Sequence, residues 1–185
     1  KPAGMTSHDV VDFFRKTFNI PKAGHTGTLD PWAAGVLPIC TGKATKLSEY
    51  LVRSRKKYRA GLALGITTDT LDAHGRITRQ SKVDVNEGMM IEIIRSFEGV
   101  IMQTPPMYSA LKVEGRRLYD VARSGKTVER KPREVEIYGI RIVKMKLPDE
   151  IIIDVECSKG TYIRTLCADI GEKAGCGAHM SFLIR

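Results

Sequence analysis

VEIYGIRIVKMKLPDEIIIDVEC, residues 135–157, holds the reading that decides the fold. Val135 to Met145 and Ile151 to Cys157 are β-branched and apolar-rich runs, separated by Pro148-Asp149, and the pattern predicts two strands of an antiparallel hairpin. Outward from it, Tyr58 to Leu64 reads as another strand, followed by a polar loop, Thr67 to Gly75. Val100 to Gln103 reads as a strand stopped by Pro105-Pro106. Helices are expected from Asn86 to Phe97 with Gly99 ending it, from Leu118 to Ser124 closed by Gly125, and from about Tyr162 to Lys173 ended by Gly175. Ser7 is positioned to cap a first helix with Val10, Val11, Phe13, Phe14 and Phe18 on its apolar side. Ala44 to Val52 reads as a short helix, and residues 20–43, rich in Gly, Pro and Thr, as an ordered loop. Strands and helices do not alternate strictly, so the expected class is α+β with a mixed, largely antiparallel sheet flanked by helices and loops.

With 185 residues the chain fits one domain, and 42% hydrophobic residues are enough for a core. No apolar run approaches bilayer length, so no membrane partner is expected. Lys and Arg number 30 against 21 Asp and Glu, a formal charge of +9 that points to a polyanionic partner. Lys112 to Arg133 concentrates this surplus, with eight basic residues against three acidic ones. The cysteines Cys40, Cys157, Cys167 and Cys176 form no C-x-x-C pair, and no His stands at finger spacing. No zinc site follows; the four read as reduced thiols of a cytosolic protein.

Gly35-Val-Leu-Pro-Ile-Cys-Thr-Gly42-Lys43 imitates a phosphate-binding loop, but six residues rather than four separate the glycines and Ala44 follows the Lys, which argues against an NTPase. The informative stretch is AGHTGTLDPWAAGVLP, residues 23–38. Its glycines, threonines and Asp30-Pro31 make a loop with many local hydrogen-bonding options, and the proline turns Asp30 away from helical geometry. From composition alone Asp30 is a turn residue.

The order of residues says more. Gly24-His25-Thr-Gly-Thr-Leu-Asp30-Pro31 resembles the motif of the bacterial tRNA pseudouridine synthase B family. So do Lys1-Pro-Ala-Gly-Met-Thr-Ser7, Lys57-Tyr58-Arg59-Ala60, Thr67-Thr-Asp69-Thr-Leu-Asp72-Ala-His-Gly75, Pro105-Pro106-Met-Tyr-Ser109-Ala-Leu-Lys112 and Ser158-Lys-Gly-Thr-Tyr162-Ile-Arg164-Thr-Leu166. They occur in family order.

The resemblance implies the pseudouridine synthase catalytic fold with a central cleft. It implies an isomerase that acts on tRNA at uridine 55 of the T loop, cutting the glycosidic bond and rejoining the base through carbon, with no metal or other cofactor. It assigns Asp30 as the catalytic carboxylate, Arg164 as its cation and Tyr58 as the active-site tyrosine. A carboxylate suits a step that forms and releases a covalent intermediate. A buried one needs a nearby cation to stay ionised. A tyrosine offers a stacking face and a phenol. The target must be everted, and His25 matches the residue that fills the vacated space. Asp72 is placed near the hydrogen-bond network, Tyr162 in a packing or base-contact role, and Lys1 in the opening motif as a support of the catalytic loop. Arg116, Arg117 and Arg123 in the basic segment are expected against the RNA backbone.

Residues 1–185 are thus expected to be one catalytic domain, truncated at both ends relative to the family, which begins with a few more apolar residues and continues into a small PUA-like RNA-binding domain. A cytoplasmic monomer that needs no guide RNA is implied. Two other readings stay open: the catalytic subunit of an RNA-guided pseudouridylation complex, and a non-catalytic RNA-binding or RNA-folding module.

Overall fold

The computed structural model describes residues 1–109, 111–113, 115–123 and 127–185 and, for 112, 113, 116, 117, 120 and 123, the backbone alone. Helix α1 (Ser7–Thr17) leads into a short antiparallel pair, β1 (Ala23–His25) and β2 (Ile39–Thr41). A 3-10 turn (Gly42–Leu47) and α2 (Ser48–Val52) precede β3 (Lys56–Leu64), and β4 (Ile66–Thr68) pairs with β5 (Ile77–Gln80). Then follow α3 (Glu87–Arg95), β6 (Gly99–Gln103), the pair β7 (Lys112–Val113) and β8 (Arg116–Arg117), α4 (Leu118–Arg123), β9 (Arg133–Lys146), β10 (Glu150–Cys157), α5 (Ile163–Lys173) and β11 (Ala178–Ile184).

Five strands make the central sheet, in the order β11-β3-β10-β9-β6, with every pairing antiparallel. The expected α+β class and the 135–157 hairpin are both present. Alternation explains the layering. Ile151, Ile153, Val155 and Cys157 of β10 point to the core, whereas Glu150, Ile152, Asp154 and Glu156 face the other side half-buried. Helices α3 and α5 cover the core face with Met90, Ile94, Ile163, Leu166, Cys167 and Ile170. Gly171 lets α5 approach β11: a Cβ there would lie 2.2 Å from the Ala178 nitrogen.

The open face carries a groove of about 700 Å³ crossed by ion pairs, Arg59 and Arg141 on Asp154 and Arg55 and Lys57 on Glu156. These charges are already paired with one another, and Asp30 is not among the groove's lining residues.

Three expectations need correction. Thr6, not Ser7, caps α1: its hydroxyl accepts from Asp9 N–H at 3.1 Å while Asp9 accepts from Thr6 N–H at 2.7 Å, a reciprocal capping box. Ser7 is buried one residue further on, its Oγ accepting from Leu29 N–H at 2.9 Å and pinning α1 to the Asp30 loop. Of the apolar side of α1 only Val11 is buried. Phe13 and Phe18 are more than half exposed and pack edgewise or tilted on Phe14. Last, the expected loop of residues 20–43 contains the antiparallel pair β1 and β2; residues 178–184, for which no element was expected, form an edge strand of the main sheet.

That edge strand places the functional loops. Its free edge would expose unpaired backbone groups. Instead Ala34 N–H donates to Leu183 O, Arg185 N–H to Ala34 O and Val36 N–H to Arg185 O, at 2.9 Å each. A second loop docks beside it, with Met180 N–H on Leu71 O and Ala73 N–H on Met180 O, both 3.0 Å. The loops that carry Asp30 and Asp72 therefore sit on one shelf.

Candidate active site

Asp30 opens a four-residue turn closed by Ala33 N–H on its carbonyl at 3.0 Å, with Pro31 at the second position that favours it. The turn is clamped from the amino-terminal side. Gly4 N–H donates to Pro31 O at 2.9 Å, and the Lys1 ammonium donates to Pro31 O at 2.8 Å and Met5 O at 2.6 Å. Lys1 thus ties the opening segment to the Asp30 turn. Burial lowers its pKa, and the nearby charge of Asp30 opposes that.

Arg164 enters from the first turn of α5, its side chain 5% exposed against 35% for Asp30. The contact is bidentate: Nε to Asp30 Oδ2 at 2.9 Å and Nη2 to Oδ1 at 3.1 Å. The guanidinium also donates to Tyr108 O at 2.8 Å and Thr70 O at 3.2 Å, and stands 3.6 Å from Asp72 Oδ2. One cation therefore holds two carboxylates. The Asp30 side chain is partly exposed, and burial of its carboxyl raises its pKa above the ordinary 3.8. Arg164 opposes that rise and Asp72 adds to it. Asp72 accepts from Thr70 Oγ1 at 2.7 Å and from His74 N–H at 3.0 Å, which fixes its turn.

Tyr58 lies on β3, half-buried. Burial raises its phenol, held back by a hydrogen bond from Arg185 and pushed slightly further by Asp30. A raised phenol is neutral near neutral pH, so Tyr58 presents an uncharged ring and a hydroxyl. His25 ends β1 with Nδ1 accepting from Gly27 N–H at 3.3 Å. Burial, first, and the charge of Arg185 lower its pKa and so favour the neutral ring, in which Nδ1, as acceptor of the Gly27 N–H, leaves Nε2 to carry the proton.

Tyr162 is the N-cap of α5 and makes no side-chain cap bond. The side chains of Arg116, Arg117 and Arg123 lie outside the described residues. Asp30, Arg164 and Asp72 are in direct contact, Tyr58 and His25 meet through Arg185, and Lys1 braces the Asp30 turn.

Two further residues take part. Arg185 joins Tyr58 to the His25 loop, donating to Gly27 O at 3.1 Å and Val36 O at 3.0 Å. Gln103, 1% exposed, binds both backbone groups of Tyr162. A lone glutamine closing an apolar strand was the available signal. Arg185 offered none.

Comparison with known proteins finds relatives along the whole chain. The family model described as TruB family pseudouridylate synthase, N-terminal domain, matches residues 15–163. The tRNA pseudouridine synthase B of Alkaliphilus oremlandii (strain OhILAs) is 57% identical over 185 residues, covering 100% of this chain and 62% of that protein. That of Caldanaerobacter subterraneus subsp. tengcongensis is 50% identical over 186 residues, covering 100% and 65%. The chain thus spans somewhat under two thirds of these relatives. Among solved structures, a chain of a Cbf5-Nop10-Gar1 complex superposes with a TM-score of 0.77 at 37% identity, covering 100% of this chain and 46% of that one. A chain of an H/ACA RNP bound to a substrate RNA containing 2′-deoxyuridine does so with 0.71 at 34%, covering 100% and 44%.

Proposed function

The chain belongs to the TruB family of pseudouridylate synthases, and on that premise we propose that it isomerises a uridine of tRNA to pseudouridine, at position 55 of the T loop, with Asp30 as the reacting carboxylate. The observation that carries the reading is the bidentate Arg164–Asp30 contact, in which a nearly buried guanidinium favours the ionised form of a partly exposed carboxylate and aims it. The C1′–N1 bond breaks, the uracil turns, and a C1′–C5 bond forms. The C5 proton is given up and N1 gains one, so atoms balance without redox chemistry or a cofactor.

The chain's residues divide the work. Asp30 engages the nucleotide, by attack on the sugar carbon or the uracil ring or by taking a sugar proton. Tyr58 supplies a neutral ring on which the uracil stacks and a hydroxyl that exchanges a proton with it. The neutral imidazole of His25 fills the gap left by the everted base, an eversion that costs a few kcal/mol and is recovered in contacts to that base. Asp72 and Lys1 hold Arg164 and the Asp30 turn. Tyr162 contacts the base, and Arg116, Arg117 and Arg123 draw the T arm in through phosphate contacts.

The reading takes the enzyme to act as a cytoplasmic monomer without a guide RNA. Its identity to the two synthases B exceeds that to the Cbf5 complex chain. The deciding experiment incubates purified protein with an unmodified tRNA transcript and no guide. Pseudouridine in the T loop, lost in Asp30→Asn, is the expected result. Binding without product would favour an RNA-folding module, and product only with added guide RNA an RNA-guided subunit. Trapping the adduct with a 5-fluorouridine RNA separates attack on the sugar from attack on the base.

A further inference from the structure

The Asp30 and Asp72 turns are built alike. Ala33 N–H closes the first onto Asp30 O at 3.0 Å, and Gly75 N–H closes the second onto Asp72 O at 3.3 Å. Each turn puts its aspartate first, where Arg164 holds it, and an aromatic ring third. The rings are Trp32 and His74, and they stack on each other with centroids 4.3 Å apart and planes within 1°. Arg164, 5% exposed, joins the two turns from within. The ring pair joins them from the solvent side, where Trp32 is 55% exposed.

The leverage is short on both sides. His74 N–H donates to the Asp72 carboxylate at 3.0 Å, so the ring and the carboxylate share one rigid turn. Trp32 follows Pro31, whose carbonyl is held by Gly4 and Lys1, and Cζ3 of the indole lies 3.9 Å from where a Cβ on Gly4 would stand. A ring displaced at the third position therefore moves the carboxylate at the first.

We propose that Trp32 and His74 form an external clasp, a pair of positioning residues that holds the Asp30 turn against the Asp72 turn and so keeps both carboxylates on Arg164. The proposal rests on Asp30 being the reacting group. Its consequence belongs to the maximal rate rather than to RNA affinity, because a misaimed carboxylate slows the reaction of RNA already bound.

Two measurements test it. Trp32 is the ring stacked on His74, so its ring current on the His74 protons reports the stack. In the protein without RNA, the His74 ring protons should resonate upfield by NMR and return to ordinary positions in Trp32→Ala; ordinary positions in the unaltered protein would overturn the clasp. Single-turnover assays at saturating tRNA transcript then separate rate from affinity. Trp32→Ala and His74→Ala should each slow the reaction roughly five-fold, as loss of one aromatic stack allows, with Kd unchanged. The double variant should be no slower than either, since the rings act as one unit, and Trp32→Phe should restore most of the rate. Weakened binding with an intact maximal rate would make the rings an RNA contact and end the proposal. A protein that forms no pseudouridine would defeat the reading of Asp30 instead. The clasp is then decided by the pH titration of the Asp30 carboxyl carbon, whose midpoint shifts in Trp32→Ala if the rings position it and stays put if they do not.

Discussion

Gln103 grips Tyr162 by both sides of its backbone, accepting from Tyr162 N–H at 2.7 Å and donating to its carbonyl at 3.1 Å. Strand β6 thereby anchors Tyr162, the N-cap residue of α5, which makes no side-chain cap bond, two residues before Arg164. Gln103→Leu leaves a buried N–H without a partner, at a cost of roughly 2 kcal/mol. We expect a fall in melting temperature of about 5 °C for a domain of this size, with slower product formation from a loosened Arg164. Unchanged thermal unfolding would refute this anchoring role.

Arg164 neutralises two carboxylates at once. Removing it in Arg164→Met leaves both facing each other, and breaking such a buried pair costs about 3–5 kcal/mol. Arg164→Lys keeps the charge and loses the fork that spans Asp30. The Lys variant should unfold cooperatively near the original temperature and react roughly a hundred-fold slower, as misplacement of about 1 Å costs. A Lys variant at full rate would show that charge alone suffices.

The pH profile follows from Asp30. Its pKa lies above 3.8, with burial the main cause and Asp72 contributing. A reaction that needs the carboxylate ionised must therefore rise with pH through a midpoint above that value. Asp72→Asn removes the contribution of Asp72, so the acid limb should move to lower pH. A shift to higher pH, or none, in single-turnover rates would contradict the coupling.

Gly35 has φ +118°, and a Cβ there would lie 2.2 Å from the Arg185 carbonyl oxygen. Gly35→Ala must push the Asp30 loop off β11. Amide hydrogen exchange at Ala34, Val36 and Arg185 should accelerate together while the β3 and β10 amides stay protected.

Asp169, half-buried on α5, has its pKa raised to about 6 by burial and by Glu172. The charged form is disfavoured in the folded state, so the penalty is fully present above pH 6 and disappears below the ordinary 3.8. Asp169→Asn should stabilise the protein at pH 7, by roughly 1 kcal/mol after allowance for solvent screening, and leave it unchanged near pH 3.5. Denaturant midpoints at the two pH values check the sign.

Legibility varied with the kind of interaction. Strands β9 and β10 were readable because their alternation is long and their turn is marked. Strand β11 was not, since Ala178-His-Met-Ser-Phe-Leu-Ile184 lacks a clean period and its partner β3 lies more than a hundred residues earlier. Asp30 and Arg164 stood out through the order of residues in their motifs, and no local pattern links positions 134 apart. The carbonyls of Thr70 and Tyr108 that steady Arg164 belong to the backbone and leave no trace in residue identity. Phe13 and Phe18 show the converse error, where a helical period promised burial that the rest of the fold does not supply.

The shelf formed by β11 also sets a timetable. Turns read early from the messenger, around Ala34 and Ala73, rest on Met180 to Arg185, which the ribosome adds far later. A growing chain carries Asp30 and Asp72 long before it can seat them, so the site matures only once this late strand has emerged and added itself to β3.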